Sequence, residues 1–108
     1  MIYSNSYFEQ NREVFIKFGE SITDEELSRF EVMAGSFDDF DLRSEMSGLR
    51  SPVLAICGEK DKIFDWKTSE EIASLTNGKL LKYPNEAHAV YDEEPDVISQ
   101  IRSFLNHR

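Results

Sequence analysis

The sequence predicts an α/β fold in which N-terminal helices are followed by a βαβα unit with two parallel strands. A continuous apolar run, 53–57, and a second short strand-like segment, 79–83, flank a helix-like segment over 66–75. Continuous apolar runs are typical of strands in parallel sheets that are covered on both faces. Because a helix joins the two predicted strands, we expect them to run parallel to each other.

The N-terminal part has helical patterning and no evident strand. Aromatic residues recur at spacings that put most of them on one side of a helix: Tyr7, Phe8, Phe15 and Phe18. Thr23 and Glu26 form a capping box that predicts the start of a second helix, and Gly35 is a plausible stop. We therefore divide the chain into a helical segment, 1–46, and a βαβα part, 47–108.

The boundaries of the βαβα part follow from its turn residues. Gly58 ends the first strand, and Asn77 with Gly78 closes the helix that follows it. Pro84 stops the second strand, and Pro95 opens the last helix at a first-turn position. The apolar face of that helix consists of Val97, Ile98, Ile101, Phe104 and Leu105.

Composition excludes several classes of function. A length of 108 residues allows one small domain, and a net charge of -9 argues against binding to nucleic acid or to anionic lipid. No signal peptide is evident, and the longest apolar run is far too short to span a bilayer, which favours a cytoplasmic protein. Cys57 lies inside that run and reads as a buried small hydrophobe. No cluster has metal-ligand spacing and no glycine-rich phosphate loop occurs, so we predict neither a metal nor a cofactor.

Candidate chemistry lies in the loops after the two strands, 58–65 and 84–91. In open parallel sheets, functional side chains gather beyond the carboxyl ends of the strands. We expect Asp61 of the first loop and His88 of the second to emerge at the same end of the sheet. A carboxylate beside an imidazole is the orienting half of a catalytic triad, because it fixes the tautomer and stabilises the imidazolium.

Here the sequence resembles a known family. The run SPVLAICGEKD, 51–61, looks like the α/β-hydrolase segment in which a proline-led strand ends in glycine and the triad acid follows three residues later. The run PNEAHAV, 84–90, followed by EEP and an amphipathic helix, is similar to the family's histidine loop and last helix. The resemblance covers roughly residues 41–106. It implies that Asp61 is the triad acid, that His88 is the general base, and that 1–46 matches the end of the family's helical lid.

The chain departs from the family pattern in two ways. The family usually has a glycine before the histidine, and this chain has Ala87, which would resist a backbone with positive φ. The larger departure concerns the nucleophile, because the family carries a serine in a Gly-x-Ser-x-Gly turn before the acid. No such turn occurs here, and the oxyanion-hole loop is missing too.

Other residues admit structural interpretations. Asp65 competes with Asp61 for the role of acid but could instead cap the helix at Trp66. Glu86 reads as solvent-facing and His107 as a solvated tail residue. Five aromatic residues could line a substrate pocket, although helix packing is the favoured interpretation: Phe8, Phe15, Phe18, Phe30 and Phe37.

The resemblance implies a C-terminal fragment of a serine-type hydrolase that acts on an ester, amide or related bond of a small molecule. Alone, it should be inactive or nearly so. The alternative is a stand-alone interaction module derived from a truncated hydrolase, and a weaker option is a small enzyme with another nucleophile in this chain. A two-stranded parallel sheet is unstable by itself, so we expect a homodimer or association with the missing N-terminal half.

Overall fold

A computed structural model describes residues 2–37 and 39–107. Four helices precede the first strand: α1 Asn5–Gln10, α2 Arg12–Ser21, α3 Asp24–Gly35 and α4 Arg43–Met46. The second part consists of β1 Leu54–Gly58, α5 Trp66–Leu75, β2 Lys79–Tyr83, α6 Val90–Glu93 and α7 Asp96–His107. The predicted α/β class and the βαβα order are confirmed. The division into segments 1–46 and 47–108 remains a prediction.

The sheet consists of β1 and β2, which pair in parallel with Leu54 opposite Lys79 and Gly58 opposite Tyr83. The first strand begins and ends one residue later than the apolar run predicted. It extends to Gly58 because this residue still pairs with Tyr83. The bounds of α5 and β2 agree with the sequence, and α7 begins directly after Pro95. α6 was not predicted, and it shortens the second loop to residues 84–89.

The N-terminal helices follow local sequence signals. Asn11 separates α1 from α2, so the aromatic residues lie on two helices rather than one. The rings of Phe8 and Phe15 stack across that break, with centroids 5.4 Å apart. α3 has the predicted capping box, in which Thr23 accepts from the backbone N–H of Glu26 and Glu26 accepts from that of Thr23. Side-chain caps therefore mark the starts of α1 and α3, whereas the N-cap residues of α2 and α4 make no side-chain cap hydrogen bond.

The buried core is small. The apolar residues that are buried among those described are mostly short: Ala55, Cys57, Ala73, Ala87, Ala89, Val90 and Val97. Of the apolar face predicted for α7, Val97 is 1% exposed, whereas Ile98 and Leu105 are about half exposed. A sheet of two strands covers only part of that face. Across the described helices, none combines the length and apolar character needed to cross a membrane.

Candidate active site: an aspartate–histidine pair

Asp61 lies in the acid loop, residues 59–65, which follows β1. Its Oδ1 accepts hydrogen bonds from the backbone N–H groups of Ile63 at 2.8 Å and Phe64 at 3.0 Å. The Asp61 side chain is only 8% exposed. One carboxylate oxygen thus fixes the loop, and the other remains available for a second partner.

His88 lies in the histidine loop, residues 84–89, which follows β2. Two backbone hydrogen bonds connect the acid loop with the end of β2 and with the histidine loop. Glu59 N–H donates to the carbonyl of Tyr83 at 2.8 Å, and Lys60 N–H donates to that of Glu86 at 3.0 Å. The two loops therefore stand side by side at the carboxyl end of the sheet, as the parallel topology predicts.

Gly58 allows the histidine loop to approach the end of β1. A Cβ atom at this position would lie 2.2 Å from the carbonyl oxygen of Glu86 and 2.4 Å from that of Ala87. Both neighbours are backbone atoms and cannot rotate away. Alanine is tolerated before His88 because Ala87 does not have a positive φ. In the described parts of the chain, Asn77 is the only non-glycine residue that does.

The structure brings the two predicted residues into direct contact. His88 Nδ1 lies 2.9 Å from Asp61 Oδ2. An ionised carboxylate can only accept, so in a neutral imidazole the proton lies on Nδ1 and Nε2 is left as the basic nitrogen. No hydrogen-bond partner of Nε2 occurs among residues 2–37 and 39–107. The His88 side chain is 37% exposed, so Nε2 is available to an external group.

The electrostatics of the pair favour an ionised Asp61. Burial acts to raise the pKa of Asp61, but hydrogen bonds from Phe64, His88 and Ile63 outweigh it and hold the pKa below its ordinary value. The ring of Phe64 lies beside His88, with centroids 5.6 Å apart. Sequence reasoning missed Phe64, and its position after Asp61 carries no signal that would have found it.

A cleft of about 600 Å³ adjoins the pair. Its apolar wall includes Phe37, Phe40 and Phe64, and Asp61 and His88 line it as well. Cys57 also lines the cleft, but burial raises the pKa of its thiol, which disfavours the thiolate needed for nucleophilic attack.

The competing residues have structural contacts. Asp65 is the N-cap of α5, where its side chain accepts from the backbone N–H of Lys67 at 3.0 Å. Glu86 accepts from the N–H of Asn85, and His107 Nδ1 bonds to the carbonyl of Ser103. Of the five aromatic candidates, only Phe37 lines the cleft. Phe8 and Phe15 instead stack on each other, as the helix-packing interpretation expects.

Comparison with known proteins decides the family. A family model for the alpha/beta hydrolase fold matches residues 4–95. The chain belongs to the α/β-hydrolase fold family. It is similar to the AB hydrolase superfamily protein YisY of Bacillus subtilis (strain 168), with 31% identity over 70 residues. No solved structure gives a significant match.

The resemblance of the sequence to the α/β-hydrolase family is confirmed, and the match begins nearer the N-terminus than the two loops alone indicated. The similar segment covers 63% of this chain but only 26% of the Bacillus relative. The chain thus spans about a quarter of the length of that α/β-hydrolase relative.

Proposed function

We propose that this chain supplies the acid and the general base of a serine-type α/β-hydrolase, with Asp61 orienting His88. The observation that carries the proposal is the 2.9 Å contact between Asp61 Oδ2 and His88 Nδ1. In this arrangement Nε2 of His88 accepts the proton of an attacking hydroxyl and then donates it to the leaving group. Asp61 stabilises the imidazolium formed between the two transfers.

The nucleophile comes from outside the described residues. The sequence has no Gly-x-Ser-x-Gly turn, and the thiol of Cys57 is disfavoured as a thiolate. An adjoining cleft with aromatic walls suits the apolar part of an ester or amide. The substrate class is therefore a small molecule with a hydrolysable acyl or related bond, and the isolated chain has little activity.

Hydrolysis of a short-chain p-nitrophenyl ester by the purified chain tests the absence of a nucleophile. The wild-type chain, His88→Ala and Asp61→Ala should all release p-nitrophenol at the same background rate. Turnover well above background that both substitutions abolish would show a working nucleophile within the chain, and the proposal would be wrong.

A second candidate function is association, either with a second copy of the chain or with the part of an α/β-hydrolase that this chain does not span. It is favoured by α2 and α3, two fully described helices that contain no buried residue. Large apolar side chains on them are exposed, including Phe18 at 66% and Val32 at 77%. Surfaces of this kind are typical of protein interfaces.

Sedimentation equilibrium over a range of concentrations tests the association. A mass that rises from 12.5 kDa toward twice that value would support a homodimer. A monomer at every concentration would contradict self-association and leave the rest of an α/β-hydrolase as the partner to be tested.

A further inference from the structure

The backbone on both sides of His88 is held by groups that the triad does not contain. Ala87 N–H donates to Oε2 of Glu93 at 2.7 Å. Ala89 N–H donates to the carbonyl of Ile2 at 2.8 Å. Because Ala87 and Ala89 are 1% and 0% exposed, these N–H groups depend on protein acceptors rather than water.

Glu93 also binds the N-terminal segment, residues 2–4. Its Oε1 accepts from the backbone N–H of Ser4 at 2.8 Å and from the hydroxyl of the same residue. One carboxylate therefore joins the histidine loop to Ser4, which lies 89 positions before Glu93 in the sequence. Next to it, the hydroxyl of Tyr3 donates to Asp92 at 2.7 Å.

We propose that Glu93 is a positioning residue that sets the distance between His88 and Asp61 by fixing the histidine loop against the N-terminal segment. This inference rests on the proposed role of His88 as general base. The hydrogen bonds of Glu93 do not include one to the imidazole, and it acts through the backbone of Ala87.

The energetic case follows from the charge of Glu93. Hydrogen bonds to an ionised acceptor are stronger than neutral ones, and Glu93 accepts from three donors on two segments. Among the ion pairs of the described residues, none involves Glu93, so its charge is balanced by these donors.

The hydrogen bonds to the Asp61 carboxylate from its own loop do not involve Glu93, although Lys60 of that loop also donates to the carbonyl of Glu86. The donors to Asp61 in this loop are Ile63 and Phe64, and neither residue contacts Glu93 by a hydrogen bond. Loss of Glu93 should therefore move His88 while Asp61 stays in place. The imidazole–carboxylate contact would lengthen although the fold persists.

Nuclear magnetic resonance of the full chain tests the proposal without any need for activity. The readout is exchange with water of the His88 Nδ1 proton, assigned with His107→Gln because the chain has only two histidines. Glu93→Ala should speed this exchange at least about tenfold, as expected for loss of hydrogen bonds to a charged acceptor. Glu93→Gln keeps one acceptor oxygen and should give an intermediate rate.

Glu94→Ala is the matched control. The neighbouring carboxylate accepts from the backbone N–H of Asp96 and makes no hydrogen bond to the histidine loop. In Glu93→Ala the pKa of Asp61 should also rise toward its ordinary value, because Asp61 loses the hydrogen bond from His88. The control should leave both quantities unchanged.

Either of two results would overturn the inference: unchanged exchange in both Glu93 variants, or equal acceleration in Glu94→Ala. If Glu93→Ala fails to fold, the intermediate rate expected for Glu93→Gln decides the matter. Since no hydrolysis is measured, a failure here is separate from a failure of the proposed function.

Discussion

Gly58 determines how closely the histidine loop can approach the end of β1. The carbonyl oxygens of Glu86 and Ala87 occupy the space where its side chain would be. The sequence predicted Gly58 only as the end of a strand, because a close approach between distant segments leaves no local pattern. The requirement for glycine here is one of packing, since Gly58 does not have a positive φ.

Gly58→Ala should destabilise the chain by about 1–3 kcal/mol, as overpacking does in a well-fitted interior. It should also separate His88 from Asp61. Urea unfolding measures the first effect, and Gly19→Ala is the control because a Cβ there meets nothing within 4 Å. Gly19→Ala should be neutral or stabilising, since alanine favours α2. Equal stability of Gly58→Ala and wild type would contradict the packing account.

Asp61 makes stability depend on acid pH. Its folded pKa lies below the ordinary 3.8, so its ionised form stabilises the fold. That contribution is fully present above pH 3.8 and is lost as the pH falls through the folded pKa. Asp61→Asn should therefore be less stable than wild type near neutral pH, and the difference in unfolding free energy should shrink below pH 3.8. A difference that is independent of pH in urea titrations would contradict this assignment.

At the scale of elements, parallel strand order brings the two loops together, and the sequence was sufficient to predict it. The bounds of α5 and β2 and the meeting of Asp61 with His88 followed from turn residues and apolar runs. The link from Glu93 to Ser4 was not predictable, because the two ends of the chain show no mutual pattern. Local sequence patterns predict helices, strands and turns, but they do not predict contacts between distant segments of the chain.

The two aspartates of the acid loop have different roles: Asp65 caps α5, whereas Asp61 contacts His88. Asp65→Ala should cost about 1 kcal/mol of stability, as is typical for loss of an N-cap side chain. The hydrogen bond between His88 and Asp61 should persist, which the Nδ1 proton signal of His88 would show. Loss of that signal in Asp65→Ala would mean that the roles of the two residues are not separate.

The hydrogen bond of the N-terminal segment to Asp92 should be lost at alkaline pH. The hydrogen bond to Asp92 is the main cause that raises the pKa of Tyr3 to about 12. A raised pKa gives stability that is present below pH 10 and is lost as the pH rises from 10 through about 12. Tyr3→Phe should remove one late-ionising tyrosine from an ultraviolet titration. Identical late titration in wild type and Tyr3→Phe would contradict the assignment.

At the scale of the whole molecule, the chain is less compact than its length allows. Its radius of gyration is 16.3 Å, whereas a compact domain of about 100 residues has one of about 13 Å. Among the described residues, Val97 is the largest side chain that is fully buried. A small buried core and exposed helices agree with a chain that spans about a quarter of its Bacillus relative.

The central claim is that Asp61 and His88 complete a triad when the rest of an α/β-hydrolase is present. The most direct measurement is ester hydrolysis by a chimera in which this chain replaces the matching segment of the Bacillus relative. Asp61→Asn and His88→Gln should each lower kcat by about a thousandfold or more, as loss of a triad member does. Asp65→Asn, the matched carboxylate, should leave kcat nearly unchanged. An active, folded chimera whose kcat is indifferent to Asp61 and His88 would contradict the account.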